Sequence, residues 1–290
     1  MQFVAALQEE GVVSKGPYLD ISDSYKTGKS MEDMIEEGEA SPLFRGLEGN
    51  IPDGEKEIQI NRGLYLHQER ALRKTNKGKN LIVTTGTGSG KTECFMIPII
   101  NHILREAEEG TLSSGVRAIL IYPMNALAND QMKRLRNMLK NYPDITFGVY
   151  NSSTKQNEQD GIAEYGKIYK DTNGYPLKPL KNEIISRDRM QTMPPHILVT
   201  NYAMLEYMML RPKDDLVFSG AKLRFLVLDE AHIYRLKARI SNPANVLHIL
   251  TSATLGGKEA DGDIVKFADT LCNTTFMAED IIRSESIVPS

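Results

Sequence analysis

The sequence predicts an α/β fold, a mostly parallel β-sheet flanked by helices on both faces. Three observations carry that expectation. With 290 residues, 41% of them hydrophobic, the chain can bury a sizeable core. From about Leu64 onward, short apolar runs alternate with helical patterns, the rhythm of repeated β-α units. One of those runs leads through a glycine-rich turn straight into a helix.

Residues 1–60 are rich in Glu, Asp, Gly and Ser, with weak periodicity in MEDMIEEGEA and turn signals at Ser41-Pro42 and Pro52-Asp53-Gly54. This stretch is read as an accessory or linking segment ahead of a domain spanning 61–290. The predicted strands are NLIVT (80–84), RAILIY (117–122), ITFGVY (145–150), HILVT (196–200), RFLVL (224–228) and LHILT (247–251). Between Asn151 and Pro195 the pattern gives way to polar sequence punctuated by Asn173-Gly174, Tyr175-Pro176 and Lys178-Pro179, and a surface insertion is expected there. No internal repeat or low-complexity tract occurs, which removes solenoid and coiled-coil readings.

Composition sets limits on function. A formal net charge of -3 supplies no overall attraction for polyanions, so a nucleic-acid partner would need a local basic face. The two cysteines, Cys94 and Cys272, lack the paired spacing of a zinc site or a disulfide framework, which fits a reducing cytosol. The opening MQFVAALQEEGVV has neither the basic start nor the long apolar core of a signal peptide, and no apolar run approaches a bilayer span. A soluble, cytoplasmic protein without a membrane partner is expected.

The run LIVTTGTGSGKTECF places a strand before a glycine-rich turn and a helix opening at Lys91-Thr92, the context of a phosphate loop. Gly86, Gly88 and Gly90 permit close backbone approach, so the N–H groups from Thr85 through Thr87 and Ser89 can surround phosphates at a helix N-terminus. Lys91 would neutralise phosphate charge and Thr92 would ligate Mg²⁺. Thr85 stands where a Gly or Ala is usual, and a β-branched residue there either tightens or distorts the loop. Pro98 is expected to kink the helix that follows, and Cys94 to be a buried small apolar residue.

In RFLVLDEAH, an apolar strand delivers two carboxylates to its C-terminal end, where ligands bind in open α/β sheets. Asp229 is the natural Mg²⁺ partner, partly through water, and Glu230 the general base that polarises the attacking water. The competing reading, an acidic start to a helix, is weaker with a phosphate loop upstream. After the next strand, LHILTSATLGG supplies Ser252 and Thr254, hydroxyls able to bond the Asp-Glu-Ala-His carboxylates or imidazole.

With these motifs in order, the chain resembles superfamily 2 DEAD/DEAH-box helicases, especially the large bacterial Lhr-like and DISARM-like DNA helicases of repair and phage defence. The likeness spans about Leu64 to Gly257 and implies a RecA-like P-loop NTPase fold. It also implies that Gln68 in LYLHQERAL reads the adenine edge, and that His232, with Ser252 and Thr254, couples ATP to nucleic acid. The segments beginning Pro123-Met124-Asn125 and Thr200-Asn201-Tyr202 resemble motifs Ia and Ib, which implies that Pro123, Asn125, Thr200 and Asn201 meet the sugar-phosphate backbone. Asn125 and Thr200 also stand at strand ends ahead of helices, which suits phosphates. The helix after Asn125 carries Lys133, Arg134, Arg136 and Lys140, read as a solvated face or, alternatively, a patch that tracks the nucleic-acid backbone, with Leu127, Leu135, Met138 and Leu139 as an apolar stripe.

Two departures qualify the likeness. Only IYRLKARISNPANV joins His232 to the next strand, near the minimum for a parallel crossover. About three dozen residues follow Thr254, none resembling a second RecA-like domain, which in the family supplies arginine fingers worth about 10³ to 10⁵ in rate. The expectation is an ATP hydrolase of helicase type, weakly active alone, with ATP and Mg²⁺ as ligands. Its partners would be nucleic acid, DNA favoured over RNA by the resemblance alone, and a second RecA-like domain or chain. The alternative is a non-catalytic module that binds nucleotide or nucleic acid without turnover.

Overall fold

The computed structural model describes residues 25–48, 59–86, 88–171, 173–218, 220–231, 245–253 and 258–286. Thr87, His232, Thr254 and the 232–244 connection, all singled out in the sequence, lie outside the described residues.

In chain order the elements are β1 (Thr27–Ser30), α1 (Met31–Glu36), α2 (Arg45–Glu48), β2 (Gly63–Tyr65), α3 (Leu66–Asn76), β3 (Leu81–Thr84), α4 (Glu93–Glu108), β4 (Ala118–Tyr122) and α5 (Asn125–Leu139). They continue with β5 (Phe147–Tyr150), α6 (Glu158–Ile168), α7 (Arg187–Thr192), β6 (Ile197–Asn201), α8 (Tyr202–Leu210), β7 (Phe225–Leu228), β8 (Leu247–Ser252), α9 (Asp261–Cys272) and β9 (Ile281–Arg283). Seven strands form one parallel sheet in the order β5-β6-β4-β7-β8-β3-β9. The six predicted strands all appear in it, and β9 joins the edge beside β3.

Alternation along the strands explains why both faces need helices. Leu81 and Val83 of β3, with Leu120 of β4 and Val227 of β7, point into a core shared with α3, α4 and α5, whereas Ile82, Ile121 and Leu226 point into a second core against α8 and α9. A sheet apolar on both sides cannot leave either in water. Helix α4 runs through Pro98 as one 16-residue element, its Phe95, Ile99 and Ile103 fully buried.

Part of the stretch read as an accessory segment packs into the same domain. β1 pairs antiparallel with β2, and Met31, Met34 and Phe44 are fully buried in the first core. Helix α1 begins with a capping box in which Ser30 and Asp33 satisfy each other's backbone N–H groups. The polar insertion between β5 and β6 holds α6 and α7. Its buried Glu183 accepts from Arg136 Nη1 of α5 (2.7 Å) and from the Tyr165 hydroxyl of α6 (2.8 Å). Among the described residues, no helix is long and apolar enough to cross a membrane.

Candidate nucleotide and nucleic-acid site

The strand order sets the site. β8 lies between β3, which ends in the glycine-rich loop, and β7, which ends in Asp229-Glu230, so three C-terminal strand ends stand side by side. Lys91 Nζ lies 3.5 Å from Glu230 Oε1 across this edge. Leu228 pairs with Leu250, so the next residues, Asp229 and Thr251, are neighbours, and the Thr251 hydroxyl donates to the Asp229 carboxylate. The hydroxyls expected here from the sequence are those of Ser252 and Thr254; Thr251 is not among them, because only the register places it opposite Asp229.

Burial pushes the Asp229 carboxyl up from its ordinary value, and the negative Glu230 adds to that, while the Thr251 hydroxyl and Lys91 oppose it. A buried carboxylate of this kind favours a neighbouring cation. Glu230 holds a left-handed backbone, φ 52°, rare for a residue with a side chain and typical of strain kept at functional positions.

The loop is braced by its own hydroxyls and by α3. Gly88 and Gly90 both have φ 75°. Ser89 Oγ lies 2.7 Å from the Gly86 carbonyl and 2.6 Å from Thr85 Oγ1. A hydroxyl has one hydrogen, so Ser89 donates to Gly86 and Thr85 donates to Ser89. Thr85, the departure from the usual Gly or Ala, therefore tightens the loop.

Helix α3 grips two consecutive loop carbonyls. His67 Nε2 is 2.8 Å from the Ser89 carbonyl oxygen, an acceptor only, so the ring carries hydrogen on Nε2. Burial pulls the His67 pKa down, favouring that neutral form. Gln68 Oε1 accepts the Tyr65 backbone N–H at 2.9 Å, and Gln68 Nε2 donates to the Gly90 carbonyl at 3.2 Å. A cleft of about 250 Å³ opens beside this clamp, lined by Arg62, Tyr65, Gln68, Gly88, Gly90 and Glu93. Cys94, one turn into α4, is fully buried as expected, and burial raises its thiol pKa far above the ordinary value.

The second candidate surface is built on three neighbouring strand ends. Asn201 caps α8, accepting from Met204 N, and donates to Asn125 Oδ1 at 2.9 Å; Asn125 in turn donates to Ser152 Oγ at 3.3 Å. The exposed Ser152, at the end of β5, was absent from the sequence candidates because its polar run reads as loop. Pro123, just past β4, is half-buried. Thr200 is a correction: it is fully buried, and its hydroxyl donates to the Tyr150 carbonyl at 2.7 Å, so it joins β5 to β6 and offers nothing to the surface.

The basic face of α5 is a second correction. Lys133 and Lys140 are exposed, but Arg134 is ion-paired with Glu93 of α4 and Arg136 with the buried Glu183. Two of the four cations thus tie α5 to its neighbours. Leu135, Met138 and Leu139 are buried as the apolar stripe predicted.

A family model described as DEAD/DEAH box helicase matches residues 65–262, from the clamp at the start of α3 past the end of β8. The chain belongs to the DEAD/DEAH box helicase family. It is 29% identical to the Druantia protein DruE of Escherichia coli over 92% of this chain and 19% of DruE. It is 32% identical to the ATP-dependent helicase Lhr-Core of Methanothermobacter thermautotrophicus over 57% of this chain and 17% of that protein. The chain therefore spans about a fifth of the length of these curated relatives. In fold it is similar to the DUF1998 helicase MrfA solved with DNA and AMPPNP, with a TM-score of 0.58 and 21% identity over 92% of this chain and 31% of MrfA. The seven-stranded parallel sheet is that of a RecA-like helicase domain.

Proposed function

We propose that this domain is the ATP-binding half of a helicase or translocase motor that tracks along nucleic acid, DNA in preference to RNA. One observation carries the reading: the loop after β3 and the carboxylates after β7 meet across β8, with Lys91 facing Glu230 and Asp229 held by Thr251. Backbone N–H groups from Thr85 to Thr92, Thr87 included, surround the triphosphate, and Lys91 neutralises its charge. Glu230 takes the proton of the attacking water.

The residues present fit Mg²⁺. Among the described residues, no group of three or more His, Cys, Asp or Glu side chains could hold a metal ion, so a protein-only cage is not on offer. The Thr92 hydroxyl and the buried Asp229 are hard oxygen donors of the kind that share Mg²⁺ with phosphates and water. When bound, Mg²⁺ would offset the charge that builds on the phosphate oxygens.

Gln68 keeps one lone pair and one N–H beyond its bonds to Tyr65 and Gly90, a pair matched to an adenine edge. Asn125 and Asn201, with Ser152 and Pro123, hold the phosphate backbone of one strand, Thr200 supporting them from within the sheet. Ser252, with His232 and Thr254, relays between the two sites. Since the chain covers a small part of its relatives, closure of a further RecA-like domain on this edge is proposed to complete the catalytic centre and turn hydrolysis into stepping.

Steady-state ATP hydrolysis, with and without single-stranded DNA or RNA, tests the reading. Weak turnover stimulated more by DNA than by RNA, and abolished in Glu230→Gln, is expected. Turnover that survives Glu230→Gln would contradict the mechanism. Absence of turnover even with a second RecA-like domain supplied would favour a non-catalytic nucleotide-binding module.

A further inference from the structure

At the edge of the sheet where its strands begin, a cleft of about 390 Å³ opens between α4, the end of α3 and the turn into β7. Gly38, Glu39, Asn76, His102, Arg105 and Arg224 stand in its wall. Volumes of about 300–1,000 Å³ suit small ligands. Arg224 immediately precedes β7 and Asp229 immediately follows it, so about 16 Å of extended chain separates this cleft from the carboxylates at the opposite edge.

The arginines of the cleft lack counterions. Both are half-buried. Arg105 Nη2 donates to the Gly38 carbonyl at 2.5 Å, and Arg224 Nη1 to the Asn245 carbonyl at 2.6 Å. A guanidinium carries five N–H donors, yet neither arginine meets a carboxylate or a further acceptor among the described residues. Burial pulls the Arg224 pKa below its ordinary value, and no acid opposes it. Charges withdrawn from water are ordinarily paired, so a cation left open at a cleft wall is placed to meet an anion.

A third group faces the same space. His102 lies one turn before Arg105 on α4, and its ring meets that of Phe225, the neighbour of Arg224, edge to face at 5.6 Å between centroids. Burial pulls the His102 pKa down, Glu106 opposes that, and the charges of Arg224 and Arg117 add to it. The two carboxylates beside the cleft are already engaged. Glu39 accepts from Arg73 at 3.1 Å and from Asn76 at 2.7 Å, while Glu106 faces Arg117 at 2.8 Å and His102 at 3.6 Å.

We propose that this cleft is a second phosphate site, separate from the phosphate loop, in which Arg105 and Arg224 hold a phosphate group from two sides beside His102. Two guanidinium forks on different elements present donors in two planes, which suits the several oxygens of a tetrahedral phosphate better than the two of a planar carboxylate. The same oxyanion is offered by free phosphate, by a nucleotide and by a nucleic-acid backbone.

Inorganic phosphate is titrated into Lys91→Ala, which weakens binding at the loop, and into the same chain carrying Arg105→Gln or Arg224→Gln, with the His102 ring signal followed by NMR. The His102 signal of the Lys91→Ala chain should move saturably. Each Gln substitution should lower the phosphate affinity by about tenfold or more, the scale of one hydrogen bond to a charged group. Arg105→Lys and Arg224→Lys keep the charge without the fork, and their affinities should fall between the parent and the Gln variants, a ranking that loss of folding would not produce.

A His102 signal indifferent to phosphate, or equal affinity in the parent and both Gln variants, would overturn the proposal. A short single-stranded oligonucleotide separates the sources. If it displaces phosphate at the His102 signal and itself binds less well in Arg224→Gln, the ligand is a nucleic-acid backbone. If it leaves that signal alone while inorganic phosphate moves it, the site takes a free or nucleotide phosphate, and either result upholds the cleft as a phosphate site.

Discussion

Replacing Arg136 with Ala should destabilise the domain strongly at neutral pH and much less in acid. Glu183 is 1% exposed, and its Oε2 accepts from Arg136 Nη1 (2.7 Å), Tyr165 Oη (2.8 Å) and Leu180 N (3.2 Å). Arg136 also donates to Tyr165 Oη and to the Lys178 carbonyl, both at 2.7 Å. Removing one partner of a buried ion pair costs about 3–5 kcal/mol. Two donors to Glu183 survive the substitution, which puts the expected loss near the lower end, about 3 kcal/mol.

The pH dependence follows from the direction of the Glu183 shift. Burial raises its carboxyl pKa above the ordinary value, while Tyr165, Leu180 and Arg136 oppose the rise. Without Arg136 the folded-state value climbs further. A raised carboxyl contributes stability that is fully present below its unfolded pKa, about 4.3, and lost as pH rises through the folded value. The variant should therefore suffer its full deficit at pH 8 and progressively less toward pH 5. Urea unfolding followed by far-UV circular dichroism suits a chain without Trp. A deficit below about 1 kcal/mol at pH 8, where a buried pair should show about 3–5, would refute this reasoning, as would an equal deficit at both pH values.

Gly88 and Gly90 share φ 75°, so alanine at either should cost about 1–2 kcal/mol of left-handed strain. Only at Gly90 does the added methyl displace Gln68, so calorimetry should show ATP affinity falling further in Gly90→Ala than in Gly88→Ala, where nothing lies within 4 Å; equal losses would argue against the clamp. Thr251→Val keeps the shape but removes the hydroxyl on Asp229, and urea titration should record a loss of about 1.5–3 kcal/mol, with a neutral result contradicting that bond. Cys94 is fully buried, and burial pushes the Cys272 pKa up to about 12, so iodoacetamide should label neither thiol in the native protein and both in urea; rapid native labelling would show an open site.

How far the sequence discloses this molecule depends on the range of the interaction concerned. Local signals were plain: Val, Ile and Leu runs marked six of the seven sheet strands, and the Gly86-to-Thr92 spacing marked the loop. The three-residue strands Gly63–Tyr65 and Ile281–Arg283 are too short to show a period, so only pairing reveals them. Long-range partners were hidden in the same way. Arg134 and Arg136 sit at exposed-looking helical spacing, yet Glu93 and Glu183 draw both inward. Thr200 reads as a strand-end hydroxyl, and pairing of β5 with β6 gives it the Tyr150 carbonyl instead. Thr251 acquires its role from the register of β7 against β8, information that no single strand contains.

The nucleotide site on this edge is tested most directly by titrating ATP and Mg²⁺ into the wild-type chain and Lys91→Ala in a calorimeter. Saturable, Mg²⁺-strengthened binding by the wild type, lost or greatly weakened in Lys91→Ala, is the expected result. Equal affinity in the two proteins, or no binding in either, would contradict it.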